Sequence, residues 1–294
     1  MTKRERQQFL LGTCFISPWL IGVVVFMLYP VCMSLYYAFC DFNVLSDPTW
    51  IGTTNFTDMA RDSVFWKSLY NTFYYAIFSI PLSLILALLV AIMLNQKIMG
   101  RSVFRAIYFL PSIVPLIAVA MIWIWLFNGK YGLINYALSF IGIEGPQWLS
   151  DPVWTKPTLI LVSMWQIGGT VVIFLAALQE VPQTLYESAE LDGAGPITRL
   201  IHITAPLISP VIYFNLIMGI IGALQVFVTP FVMLGGGGPN RSALFYSVYL
   251  YQNAFSYWRM GYASAMAWIL FILIASLTIL VTLLSRKHVF YAGD

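Results

Sequence analysis

The chain has 294 residues, of which 60% are hydrophobic and only 9% charged, with a formal net charge of +3. An ordinary soluble domain carries roughly a quarter charged residues, so composition argues against a water-soluble fold. The small basic excess forms no patch or stripe of the kind a nucleic-acid-binding face needs.

The chain opens with Lys3, Arg4 and Arg6 ahead of an apolar run, the superficial pattern of a signal peptide. The uncharged stretch from Phe9 to Cys40 is far longer than an h-region of roughly 7–15 residues, and no small-residue cleavage site interrupts it. It reads as an uncleaved first span over about 12–40. Cys14, Cys32 and Cys40 fall in or beside it without metal-type spacing and read as small packing residues. A bilayer core of about 30 Å requires about 20 apolar residues, and five further windows meet that requirement, at about 69–95, 106–128, 157–179, 207–233 and 262–285. None of the six contains Asp, Glu, Lys or Arg. They do not alternate polar and apolar residues as barrel strands would, so they are expected to be helices. The fold class expected is therefore all-α: a polytopic membrane protein of six transmembrane helices in a single domain spanning residues 1–294. Pro30, Pro81, Pro111, Pro115, Pro206 and Pro210 lie inside or at the mouths of these windows. They either kink packed helices or bend them around a path. Ser242–Trp258 is uncharged, aromatic and too short to span, and is expected to lie at or dip into the membrane interface.

Basic loops stay cytoplasmic. The N-terminus, 96–105, 180–202 and the C-terminus hold nine Lys and Arg residues, against six in 41–68, 130–156 and 234–259. Both termini are thus expected on the cytoplasmic side. The spans hold no acid or histidine of the sort on which ion-coupled carriers depend, which points to an external energy source acting on a cytoplasmic surface. His202 and His288 stand alone, and no GxxxxGK[ST] phosphate loop is present.

The internal loop between the fourth and fifth spans is the outstanding candidate for that surface. Thr184 and Glu187 have capping-box spacing, which predicts a helix start. Gly193 suits the left-handed residue that ends a helix, and Pro196 can open another. A short helix–turn–helix is expected, with Leu185 and Ala189 on one face and Glu187, Glu190 and Asp192 elsewhere. From spacing alone, Glu187 either serves a partner's groove or merely caps a connecting helix.

Glu187–Ala194, reading ESAELDGA, followed by Ile203–Pro210, resembles the EAA loop of binding-protein-dependent ABC importer permeases. Ser188 stands where a second alanine is usual, and Ala205 where leucine commonly precedes the proline. The likeness extends over nearly the whole chain. Pro18–Gly22, Tyr29-Pro30, Ser34–Tyr36 and Trp66 to Asn71-Thr72 are similar to the opening of permeases related to the maltose and glycerol-phosphate importers. Trp165-Gln166, Phe174–Gln179 and Gly237–Pro239 resemble later landmarks, while the large external insertion of the maltose-type larger permease is absent. The resemblance implies a type I ABC importer permease fold and a non-catalytic role. It also implies a second homologous permease, a dimer of ATP-binding subunits that hold ATP and magnesium, and an extracytoplasmic solute-binding protein. This chain would carry no cofactor or metal of its own and would sit in a bacterial or archaeal cytoplasmic membrane. Docking on the ATPase would fall to Glu187, Ser188, Ala189, Asp192 and Gly193.

The substrate path is sought on the fifth span, where Asn215, Gly219, Gly222 and Thr229 fall within about 80° of arc with Gln225 on its edge. Small residues serve close packing as readily as a path. Trp165, Gln166, Tyr213 and Trp268 could add stacking faces and donors, or act as packing and interfacial anchors. An uncharged lining suits a neutral carbohydrate. A non-sugar solute such as a glycerol-phosphate compound, a gradient-driven carrier or channel, and a membrane enzyme or scaffold are the alternatives.

Overall fold

The computed structural model describes residues 2–96 and 99–286, so Lys97, Lys287 and His288 lie outside the described residues. Helix α1 (Lys3–Val23) passes through a π-helical turn, Val24–Leu28, into α2 (Tyr29–Tyr37). Pro30 is the second residue of α2; it has no N–H to offer the carbonyl four residues back, and the ladder widens there. The first span therefore runs earlier at both ends than the expected 12–40. Cys40 belongs instead to a two-residue antiparallel ladder of β1 (Cys40–Asp41) with β2 (Thr49–Trp50), the only strand pairing among the described residues.

Next come α3 (Thr54–Arg61) and α4 (Ser63–Asn95). At 33 residues, α4 is about 50 Å long. The third expected span is not one cylinder. It divides into α5 (Arg101–Ile113) and α6 (Leu116–Leu126), bent by 100°. Pro115 disfavours the helical region for Val114, which is extended at ψ 130°. A short α7 (Leu133–Ser139) precedes α8 (Thr155–Trp165) and α9 (Gly168–Glu180), the fourth expected span, bent by 47°. Helices α10 (Gln183–Leu191) and α11 (Pro196–Arg199), a π turn at Leu200–Thr204, and α12 (Ala205–Leu207) lead into the fifth. That span also breaks, at Gln225–Phe227 between α13 (Ser209–Leu224) and α14 (Val228–Met233). The chain closes through α15 (Tyr246–Tyr251) and α16 (Met260–Ser285). Among the described residues, four helices are long and apolar enough to cross a membrane, and counting each bent pair as one span makes six.

Two compact units emerge. The first comprises residues up to Asp62 together with Leu250–Phe271. In it Asn55 Nδ2 donates to the carbonyls of Ala38 (3.0 Å) and Cys40 (2.9 Å), holding the end of α2. The backbone of Gly261 donates to Phe42 O at 3.0 Å, an approach so close that a Cβ there would stand 2.1 Å from Cys40 O. None of the apolar window of Arg6–Tyr37 is buried within the chain. Hence Cys40 is buried while Cys14 and Cys32 are exposed, and those two do not pack inside the chain as the sequence suggested.

The second unit, Ser63–Tyr249 with residues from Ile272 onward, is organised around α4. Ala87, Ala91 and Leu94 of α4 pack on Val171, Phe174 and Leu178 of α9 and on Ile208 before α13. Residues 242–249, the first half of the segment expected at or dipping into the membrane interface, lie in this unit's core. Phe245 and Tyr246 are fully buried and meet Tyr75 and Phe65 edge-on at 5.5 and 5.6 Å. Their backbone is satisfied internally: Asn71 Nδ2 donates to Arg241 O (2.9 Å) and Leu244 O (3.0 Å), and Tyr246 N–H donates to Thr72 Oγ1 (2.8 Å).

Candidate functional site

The helix–turn–helix at 183–199 forms, but by a different start. Pro182 (φ −59°, ψ 128°) precedes α10, and no side chain caps it. Thr184 and Glu187 therefore make no capping box: the helix begins at Gln183, placing Thr184 inside the first turn, where its carbonyl accepts from Ser188 Oγ (2.9 Å). The far end is as expected. Gly193 is left-handed at φ +80°, Ala194 N–H donates to Ala189 O (2.8 Å), and Gly193 N–H donates to Glu190 O (3.0 Å). These two bonds define a Schellman motif. Asp192 is the C-cap residue, and Pro196 is the first residue of α11. Arg199 and Glu190 form a 3.1 Å ion pair that links the two helices.

What this hairpin presents is apolar as well as polar. Leu185, Leu191 and Ile197 are 42%, 90% and 72% exposed. Glu187 and Ser188 are exposed and Ala189 is half-buried. The Glu187 carboxylate makes no hydrogen bond or ion pair among the described residues. Uncovered leucine and isoleucine thus share this short element with its carboxylates.

Within the same unit, α4, α8, α9 and α13 enclose a cavity of about 380 Å³, and a neighbouring one of about 290 Å³ adjoins it through Tyr75, Ser163, Gln166 and Gly222. Asn215 and Gly219 line the first with Ser79, Ser83 and Thr170. Gln225 and Thr229 line the second. The stripe predicted by helical arithmetic thus holds as far as Gly222. Beyond Leu224 the helix is broken, and Thr229 reaches its cavity from α14 rather than by the assumed 100° steps. The two predicted glycines separate in role. A Cβ on Gly219 would sit 3.3 Å from Ile80 Cγ2, so this glycine lets α13 approach α4, whereas one on Gly222 would meet open space.

Gln166 and Gln225 share a placement. Gln166 is the C-cap residue between α8 and α9 and Gln225 that between α13 and α14, so both amides stand at helix breaks and both line the second cavity. Interrupted helices leave backbone groups free of the ladder, and such breaks are tolerated in membrane proteins where they border a cavity. No Asp, Glu, Lys or Arg lines either cavity. Asn215 is buried and gives one of its amide hydrogens to Val211 O (2.8 Å).

Three predicted residues do not join this lining. Tyr213 Oη is 2.6 Å from Thr282 Oγ1 on α16. Trp165 stands edge-on to Trp123 at 5.8 Å. Trp268, in the other unit, donates from Nε1 to Ser34 Oγ at 3.2 Å. The polar atoms of Tyr213 and Trp268 are committed to neighbouring helices, and Trp165 remains partly exposed beside Trp123. Conversely, sequence reading missed Ser79, Ser83, Ser163 and Thr170. A hydroxyl in an apolar helix can satisfy itself on its own backbone, as Ser163 does with Ile160 O (2.7 Å), so its presence signals little. The spacing of Ser79 and Ser83, four apart on one face of α4, was the available clue. No group of three or more potential metal ligands occurs among the described residues.

Residues 79–289 match the family described as binding-protein-dependent transport system inner membrane component. The chain is 40% identical over 290 residues to the probable ABC transporter permease protein YesP of Bacillus subtilis, covering 97% of this chain and 94% of that one. It is 33% identical over 290 residues to the lactose transport system permease protein LacF of Rhizobium radiobacter, covering 94% of each. Among solved structures, a chain of a bacterial alginate ABC transporter in complex with an alginate pentasaccharide-bound periplasmic protein superposes with a TM-score of 0.83 at 22% identity, covering 97% of this chain and 96% of that one. The fold is thus the type I ABC importer permease fold.

Proposed function

This chain belongs to the binding-protein-dependent transport system inner membrane components, and we propose that it is a permease half of an ATP-driven importer for a carbohydrate. It hydrolyses nothing itself. The observation that carries the substrate class is the lining of the paired cavities, where serine, threonine, asparagine and glutamine side chains gather without a charged group, the two glutamines at helix breaks. Such a lining replaces the water around a polyhydroxylated solute with hydroxyl and amide partners, at little net cost. The lactose permease likeness over 94% of both chains favours the same class. In this reading Ser79, Ser83, Gln166, Asn215 and Gln225 contact solute, while Gly222 keeps the way open.

Residues 1–294 act as one permease domain with both termini cytoplasmic. A second, homologous permease completes the path, and a solute-binding protein delivers cargo at the external face. Below, a dimer of ATPase subunits holding ATP and magnesium receives α10. Glu187, Ser188, Ala189, Asp192 and Gly193 form the docking element, with the exposed Leu185 and Leu191 entering the partner's cleft. Closure of the ATPase dimer pushes on α10 and rocks the helices that enclose the cavities.

The test is ATP hydrolysis and uptake by the reconstituted complex in liposomes, with binding protein present, across a panel of neutral and acidic sugars and glycerol phosphate. Stimulation by a neutral sugar, lost in Glu187→Ala, supports the reading. Uptake driven by an ion gradient without ATP overturns it.

A further inference from the structure

The base of α9 is tied to the start of α5 by a side-chain clamp. The amide of Gln179 faces Arg101 Nη2 and Arg105 Nη2, each at 2.7 Å. Guanidinium nitrogens only donate, so the atom that meets both is the amide oxygen. Arg101 and Arg105 are four apart and share one face of α5. Gln179 is the penultimate residue of α9, and only Val181 and Pro182 separate that helix from α10. The opposite end of α9 is also held against α5, because a Cβ on Gly168 would stand 2.4 Å from Tyr108 O. Whatever displaces α10 therefore bears first on Gln179, and through two arginines on the helix pair that bends by 100°.

The electrostatics of this clamp are unusual for a purely structural contact. Both arginine Nε atoms are buried with no hydrogen-bond partner among the described residues, so the Nη2 contacts to Gln179 are what fix these guanidinium groups. A cavity of about 620 Å³ lies beside them, lined also by Glu187 and Glu190. Neither carboxylate takes up the arginines: Glu190 is paired with Arg199, and Glu187 has no partner among the described residues. Two cations thus share one neutral acceptor. Such a bond is charge-assisted, and so stronger than an ordinary one, yet lacks the Coulomb attraction of an ion pair. It can carry a push and still open within a cycle.

We propose that Gln179, held by Arg101 and Arg105, is a positioning residue for energy coupling, which delivers displacement of α10 to α5 and α6. The inference rests on the importer reading above and adds a route to it. Gln179→Met keeps length and shape but removes the acceptor. In proteoliposomes containing the whole complex, this variant is expected to assemble and to hydrolyse ATP at the wild-type basal rate, while sugar moved per ATP falls about tenfold, equivalent to about 1.4 kcal/mol of coupling. Gln179→Glu retains an acceptor and is expected to restore most of the ratio at a slower turnover, since ion pairs open less readily. Wild-type sugar per ATP in Gln179→Met overturns the proposal, as does equal loss of assembly in the Met and Glu variants, which would mark a contact of shape alone. Should only the Met variant fail to assemble, Gln179→Asn withdraws the acceptor more gently, and a wild-type ratio there overturns it too. ATP-independent uptake by the wild type would instead overturn the importer reading itself.

Discussion

The phenol oxygen of Tyr186 lies 2.8 Å from Thr204 Oγ1, joining α10 to the chain 18 residues downstream. Thr204 Oγ1 also lies 3.3 Å from Arg199 O. With the Glu190–Arg199 pair, this bond closes the helix–turn–helix into one body. Tyr186→Phe should cost about 1 kcal/mol, the net worth of one hydrogen bond. The check is complex stability: the hairpin should loosen, less ATPase subunit should co-purify, and sugar-stimulated hydrolysis should fall severalfold while the permease still folds.

Gly193 offers a test of backbone against side chain. A Cβ there would meet nothing within 4 Å, yet φ is +80°. Gly193→Ala should therefore cost only the strain of a left-handed residue, about 1–2 kcal/mol, and Gly193→Asn less, since asparagine tolerates that region. An order of Gly, Asn, Ala in coupled ATPase activity is expected. Equal activity of all three would show that the Schellman turn does not hold in the assembled complex.

Gly168 and Gly169 are adjacent but unequal. A Cβ on Gly168 would strike Tyr108 O, whereas one on Gly169 would meet open space. Gly168→Ala should force α9 off α5 and destabilise by about 1–3 kcal/mol, visible as a lower unfolding temperature in detergent. Gly169→Ala should be neutral or slightly stabilising, because it removes backbone freedom from the unfolded chain.

Solute contacts should separate the cavity residues from the aromatics that sequence suggested beside them. Gln166→Leu, Asn215→Leu and Ser83→Ala should each raise the KM for sugar about two- to tenfold, the equivalent of one hydrogen bond, with basal ATP hydrolysis unchanged. Tyr213→Phe and Trp268→Phe should leave that KM alone and reveal themselves in stability, because their polar atoms serve Thr282 and Ser34.

How much was legible in the sequence follows from the physics of each element. The uncharged apolar windows were readable because lipid imposes length and composition directly. Gly193 and Pro196 were readable because left-handed backbone and helix entry select their own residues. The breaks at Val114 and Gln225 were less so: Pro115 announced the first, whereas Gln225–Phe227 contains neither proline nor glycine and its signal lay downstream, in Pro230, which cannot donate to the carbonyl of Val226 four residues back and crowds it. The supposed capping box failed because Pro182 sets the entry dihedrals two residues earlier. Ser79, Ser83, Ser163 and Thr170 stayed hidden, since a serine or threonine in a membrane helix looks the same whether it faces its own carbonyls or a cavity. The clamp of Arg101 and Arg105 on Gln179 joins positions more than 70 residues apart and left no local pattern.

The uncharged walls of the two cavities also have an electrical consequence. A sugar entering them exchanges hydrogen bonds with water for hydrogen bonds with hydroxyls and amides, and the balance is near parity. A bare cation finds dipoles but no counter-charge, and the idealised cost of bringing an ion into a medium of low dielectric is on the order of 20 kcal/mol. In the proposed path, walls without charge admit a neutral sugar and offer no counter-charge to sodium ions or protons. An import cycle that carries neither ion should leave the membrane potential undischarged, and the voltage available to other machinery in the same bilayer.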